Sequence, residues 1–177
     1  MLFLLDFIEH ISLLEYIHRG GFIVYILIFF NILGFSIMLW KFVVITNAKF
    51  KKEKTAENIL KIVKNSSERY EEKTLKNTLD KYIINLERGL NTVKIIASMS
   101  PLLGLLGTVI GVLSSFDTIS KSGLSDPAVF SAGISIALIT TVAGLIVAIP
   151  NYIGYNYLIA FIDNLEHTIE ESIIAKL

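Results

Sequence analysis

The chain has 177 residues and a formal net charge of zero, and 53% of its residues are hydrophobic against 18% charged. A soluble domain carries about 25% charged residues, so this composition indicates a membrane protein. The sequence contains no cysteine, which excludes disulfides, thiolate metal sites and cysteine nucleophiles. The balanced charge gives no indication of a nucleic-acid partner.

The chain begins with a mixed segment and then an apolar one. Residues 1–19 lack a basic start and a cleavage site, and they predict a periplasmic interfacial helix, with an irregular lead-in as the alternative. Nothing ionisable lies between Arg19 and Lys41. Because about 20 apolar residues cross a bilayer core, we expect transmembrane helix 1 over 20–46.

Most of the positive charge follows this first span. Thirteen of the sixteen Lys and Arg residues lie from Lys41 to Lys94. The positive-inside rule therefore places segment 47–94 in the cytoplasm and the N-terminus in the periplasm. In the second half of segment 47–94, apolar residues recur at gaps of three and four. This spacing predicts a helix that continues without a break into transmembrane helix 2 at 95–117. These residues are Leu75, Leu79, Tyr82, Leu86, Leu90, Val93 and Ala97.

The remaining elements are a short loop and one long helical stretch. A periplasmic loop is expected over 118–128, with Pro127 in the first turn of the next helix. Transmembrane helix 3 is expected over 129–156, bent at Pro150, with the polar residues from Asn151 onward at the interface. Segment 157–177 predicts a cytoplasmic C-terminal helix that packs against the other extension through its own apolar stripe. That stripe consists of Ile162, Leu165, Ile169, Ile173 and Leu177. The predicted fold class is an all-α integral membrane protein of three transmembrane helices with long cytoplasmic helical extensions.

Spans two and three each carry a face of small and hydroxyl-bearing residues. Small residues let helix backbones approach closely in a membrane, where burial from water gives no driving force. One interpretation is tight helix packing, with the threonines bonded to their own backbone carbonyls. The other is that the faces line a narrow passage or a socket for another helix. The candidate lining residues are Gly104, Thr108, Gly111, Ser115, Ala137, Thr140, Thr141, Gly144 and Ala148.

No site for chemistry is apparent in these two spans. Between Lys94 and Asp117, and between Asp126 and Asp163, the chain contains no Asp, Glu, His, Lys or Arg, and a proton relay in a membrane needs an ionisable group at depth. If the protein moves protons, a partner must therefore supply the titrating group. The three histidines form no metal-binding pattern, and we expect neither an enzyme nor a bound cofactor or metal.

Longer motifs in the same region resemble a known family. Residues 86–92 read LERGLNT, residues 101–111 read PLLGLLGTVIG, and GISIAL begins at Gly133. Thr141, Gly144 and the AIP of 148–150 follow. Together they are similar to the ExbB/TolQ/MotA proton-channel family, most closely to ExbB and next to TolQ, over about half of the chain.

The resemblance implies a homopentamer in the bacterial inner membrane, with the N-terminus periplasmic and the C-terminus cytoplasmic. Its second and third spans would line a pore that holds an ExbD- or TolR-like single-span protein with a membrane aspartate. Proton motive force would then drive a TonB- or TolA-like protein that powers outer-membrane transport. The pore threonines of the family correspond to Thr108 and Thr141. The family's glutamate in the third span is Ile136 here, so that residue's part in the proton path does not transfer.

Three alternatives remain open from the sequence. The chain could be a TolQ-like subunit for cell-envelope integrity. It could be a static scaffold whose pore only anchors the partner. A membrane enzyme has little support, because the spans hold no nucleophile–base pair.

Overall fold

The computed structural model describes residues 13–64, 71–122 and 127–175, and every regular element in these ranges is an α-helix. Helices α2, α5 and α6 are long and apolar enough to cross a membrane, which confirms the predicted fold class. The predicted helix over 1–19 lies mostly outside the described residues. The six helices are α1 (Leu13–Arg19), α2 (Gly21–Phe50), α3 (Lys52–Lys64), α4 (Glu71–Glu87), α5 (Leu90–Ser122) and α6 (Pro127–Ile174).

The first helix is separated from α2 by a glycine in the left-handed conformation. The amide of Gly20 donates to the carbonyl of Tyr16 at 2.9 Å and closes α1. Gly21 then has a φ of 63°, which a residue with a Cβ adopts only at a cost. The loop predicted over 118–128 is too long, because α5 continues to Ser122 and α6 begins at Pro127, as expected for a residue whose φ suits the first turn.

The predicted continuity of the second extension with span two is wrong. Helix α4 ends at Glu87, a turn follows at Arg88 and Gly89, and α5 begins at Leu90. Gly89 has a φ of 97°, the left-handed conformation that commonly ends helices. The apolar stripe crosses this turn without a change of spacing, so periodicity alone could not reveal the interruption.

A lysine from the first span stabilises the end of α4. The ammonium of Lys41 donates to the carbonyl of Leu86 at 3.0 Å, in the last turn of that helix. The last carbonyls of a helix lack intrahelical donors, and a positive charge there also complements the helix dipole. A Cβ on Gly89 would lie 3.6 Å from Cε of Lys41, an ordinary van der Waals distance, so the positive φ and not a lack of space favours glycine there.

The chain divides into two compact units, formed by residues 1–34 with 95–152 and by residues 35–94 with 153–177. In the second unit the apolar stripes of α4 and α6 share one core, which confirms that the two extensions pack together. Its fully or nearly fully buried members include Leu79, Leu86, Leu90, Val93, Leu158, Ile162, Leu165, Ile169 and Ile173. The first unit has a smaller core around Leu27, Ile96 and Val147.

Candidate functional site

Helices α5 and α6 approach so closely in the first unit that two positions admit only glycine. A Cβ added to Gly104 would lie 2.8 Å from the carbonyl oxygen of Thr140 and 3.1 Å from Cα of Thr141. A Cβ added to Gly144 would lie 2.6 Å from the carbonyl oxygen of Ser100. The obstacles are backbone atoms, which cannot swing aside. The small faces of spans two and three therefore meet each other within one chain.

The same packing continues one to two turns further along. A Cβ on Gly111 would lie 3.0 Å from Cβ of Ala137 and 3.1 Å from the carbonyl oxygen of Gly133. A Cβ on Gly133 would overlap the hydroxyl oxygen of Ser115. That hydroxyl donates to the carbonyl of Gly111 at 3.0 Å. Small residues on both helices thus hold the pair together over about three turns.

Three threonine hydroxyls converge on two backbone carbonyls in this interface. The Thr108 hydroxyl lies 3.0 Å from the carbonyl oxygen of Ala137 and 3.2 Å from that of Gly104. The Thr140 hydroxyl contacts the same two oxygens, at 2.7 Å and 3.2 Å. The Thr141 hydroxyl lies 3.4 Å from the carbonyl oxygen of Gly104 and also hydrogen-bonds the Thr108 hydroxyl. We call Thr108, Thr140 and Thr141 the hydroxyl cluster.

The hydroxyl cluster is satisfied within the chain, yet it keeps unused acceptor capacity. Each hydroxyl has one hydrogen to donate and two lone pairs that accept. The hydrogens are directed at the carbonyls or at a neighbouring hydroxyl, while lone pairs of Thr108 and Thr141 remain for another donor. Both side chains are half-buried, whereas Thr140 is only 2% exposed. The side chains of Thr108 and Thr141 are therefore partly exposed at the surface of the chain, whereas that of Thr140 is not.

The other candidate lining residues are buried inside the single chain. The described residues show tight helix packing with hydrogen bonds from threonine hydroxyls to backbone carbonyls. This is the first of the two interpretations. A place at a pore stays a prediction for all nine positions. The buried ones besides Thr140 are Gly104, Gly111, Ser115, Ala137, Gly144 and Ala148. Helix α6 runs without interruption through Pro150, and a bend there also stays a prediction.

Asn151 is packed inside the chain, and its predicted place at the membrane interface stays a prediction. Its side chain is fully buried and donates from Nδ2 to the carbonyl of Val147 at 2.8 Å. Its Oδ1 has no hydrogen-bond partner among the described residues and lies against Gly34, where a Cβ would be 2.9 Å from Cγ of Asn151. Gly34 in the first span is the sequence feature that leaves space for this side chain. Nothing in the sequence pairs Gly34 with a residue 117 positions later.

Two further observations concern position 136 and the acidic and histidine side chains. Ile136, at the position of the family's glutamate, is an apolar side chain with 37% of its surface exposed. Within ranges 13–64, 71–122 and 127–175, no three His, Asp or Glu side chains lie close enough together to hold a metal ion.

Comparison with known proteins places the chain in a family. The profile of the MotA/TolQ/ExbB proton channel family matches residues 45–171. The biopolymer transport protein ExbB of Aquifex aeolicus is 42% identical over 74 residues, which are 42% of this chain and 50% of that protein. The ExbB of Helicobacter pylori is 40% identical over 81 residues, which are 46% of this chain and 56% of that protein. The chain thus matches about half the length of these curated relatives.

The family match and the architecture agree. The matched residues run from the end of α2 nearly to the end of α6, and they include the glycine contacts and the whole hydroxyl cluster. The match extends over well more than half of the chain. This protein, with its three membrane-crossing helices, belongs to the MotA/TolQ/ExbB proton channel family.

Proposed function

We propose that the chain is an ExbB-type subunit that assembles as a homopentamer around an ExbD- or TolR-like single-span protein. The complex would use proton motive force to drive a TonB- or TolA-like protein and so power transport across the outer membrane. The observation that carries the proposal is a hydroxyl cluster with two half-buried threonines, Thr108 and Thr141, in stretches of the spans without Asp, Glu, His, Lys or Arg. Family membership supplies the proton-channel class.

The proposed topology follows from the distribution of charge. Of the sixteen Lys and Arg residues, thirteen lie between positions 41 and 94, and only Lys121 lies between spans two and three. This bias favours an inner-membrane orientation with α3 and α4 in the cytoplasm and the N-terminus in the periplasm. The polar half of α6 would then also be cytoplasmic.

The proposed role of the hydroxyl cluster is to form hydrogen bonds with a carboxyl group that the partner brings to this depth. A protonated carboxyl can donate to a lone pair of Thr108 or Thr141 and leave the internal hydrogen bonds in place. A carboxylate needs a donor, so one hydroxyl must turn away from the carbonyl of Gly104 or Ala137. That exchange costs about 1 kcal/mol, the net value of one hydrogen bond.

The balance of these costs favours a cluster that accepts both forms of the acid. An unsolvated carboxylate in hydrocarbon costs several kcal/mol or more, which exceeds the cost of turning one hydroxyl. The neutral acid, by contrast, can move past apolar residues such as Ile136. The cluster would therefore offer a stopping point for the charged form in a passage that is otherwise apolar.

Isosteric replacement of the two half-buried threonines tests the proposal. In vesicles that carry the chain and its single-span partner, Thr108→Val and Thr141→Val should each reduce proton uptake by about tenfold per assembled complex. This corresponds to the loss of one hydrogen bond to a charged group, about 1.5 kcal/mol. Thr140→Val is the matched control: its hydroxyl is buried, so it should alter stability more than flux. Full proton uptake in both variants would remove the threonines from the mechanism.

The same experiment separates the motor from a static scaffold. Normal complex formation without proton uptake by the unaltered chain would favour a scaffold that only anchors the partner. The assignment to the ExbB rather than the TolQ branch follows the names of the similar proteins. It predicts that loss of the chain impairs nutrient uptake before it impairs envelope integrity.

A further inference from the structure

Two connected pockets lie in the second unit, where the apolar part of α2 gives way to lysines. The larger has a volume of about 550 Å³, and its walls are mostly aromatic: Phe42, Phe50, Tyr157 and Phe161. The smaller, of about 90 Å³, includes Asn164 and Thr168 of α6. Lys49, Lys52 and Phe161 line both pockets, so the two lysines lie where the pockets adjoin.

The groups at this junction suit an anion joined to an apolar body. The ammonium of Lys49 lies 5.0 Å from the ring centroid of Phe161, a cation–π contact that holds it at the pocket mouth. Lys52 adds a second positive charge, and no residue that lines either pocket is acidic. The hydroxyl oxygen of Thr46 is buried beside the larger pocket and has no hydrogen-bond partner in the described part of the chain.

The position along α2 identifies the source of such an anion. The apolar stretch of α2 is long enough to cross the bilayer core, and Lys49 and Lys52 lie at its polar end. Phosphate groups of lipids occupy this depth, with acyl chains on the membrane side and head groups on the aqueous side. The larger, aromatic pocket suits the acyl chains, and the smaller pocket with Asn164 and Thr168 suits the head group.

We propose that these pockets bind one anionic glycerophospholipid of the phosphatidylglycerol type. Its phosphate lies between the ammonium groups of Lys49 and Lys52, its glycerol backbone and upper acyl chain lie against Phe42, Tyr157 and Phe161, and its head group enters the smaller pocket. The site goes beyond the proposed proton-driven function and does not depend on it, so either can fail alone.

Native mass spectrometry of the full chain in detergent, titrated with dioleoyl phosphatidylglycerol, tests the proposal. Lys49→Gln/Lys52→Gln should weaken binding by tenfold or more, because each lysine near an anionic lipid contributes about 1 kcal/mol. Lys51→Gln/Lys54→Gln is the matched control: it removes the same charge from two exposed residues that line neither pocket. It should weaken binding by no more than about twofold. Lys49→Arg/Lys52→Arg should retain binding.

Several results would overturn the proposal. One is unchanged binding in Lys49→Gln/Lys52→Gln, and another is an equal loss in the control pair, which would indicate a general effect of surface charge. Equal affinity for dioleoyl phosphatidylcholine would remove the role of the negative charge. Glycerol 3-phosphate that binds as tightly as the lipid would identify a soluble phosphate site instead. Elution of each variant at the native position on size exclusion shows that a loss of binding is not a loss of folding.

Discussion

The close backbone contact between α5 and α6 offers a quantitative test at Gly144. A Cβ placed there would lie 2.6 Å from the carbonyl oxygen of Ser100, while ordinary contact begins at 3.4 Å. The Gly144→Ala variant must therefore move α5 and α6 apart by about 0.8 Å at this point. Overpacking of this kind costs about 1–3 kcal/mol, and the rigid backbone obstacle favours the upper end. Alanine regains up to about 1 kcal/mol of helix propensity. The expected net loss is about 2 kcal/mol.

Gly154→Ala is the matched control, because it makes the same substitution in the same helix. The obstacle there is the thioether of Met38, a flexible side chain that can move aside. We expect a change of less than about 1 kcal/mol, since the small cost of moving the Met38 side chain and the gain in helix propensity nearly cancel. The free energy of unfolding can be measured by SDS titration in mixed micelles, followed by near-ultraviolet circular dichroism. A Gly144→Ala loss no larger than that of Gly154→Ala would refute the backbone contact between α5 and α6.

Two further substitutions address the end of α4. Lys41→Met keeps the apolar stem but removes the hydrogen bond to the carbonyl of Leu86. It should lower the free energy of unfolding by about 1 kcal/mol in the same titration. An equal loss in the exposed control Lys81→Met would contradict this. Gly89→Ala should cost about 1 kcal/mol because of its φ of 97°, and Gly89→Asn should cost less because asparagine tolerates this conformation. Equal stability of the glycine and alanine forms would show that the turn is not required.

The spans and the buried stripes could be predicted from the sequence because both are local properties. The length of an uncharged segment decides whether it can cross a bilayer, and a period of 3.6 residues shows which side of a helix is apolar. The stripe of α6, from Ile162 to Ile173, is buried as its spacing predicted. The turn at Gly89 escaped the same reasoning, since the apolar spacing is the same on either side of it.

The hydrogen-bond and packing partners of each polar residue could not be predicted from the spacing of residues along the sequence. The faces of small residues on spans two and three were predicted, but the sequence pattern does not show which atoms pack against them. Only the packing shows that Gly104 and Gly144 meet backbone and that two carbonyls receive three hydroxyls. The same holds for Asn151, because its burial against Gly34 depends on another helix that its own segment does not reveal.

The central claim is that Thr108 faces a partner's carboxyl inside a shared passage. The chain has no cysteine, so introduced cysteines react without background. In membranes, Thr108→Cys should form a disulfide with a cysteine that replaces the partner's membrane aspartate. Ile110→Cys, an exposed position on a different side of α5, should not. A disulfide from position 110 and none from position 108 would contradict the account.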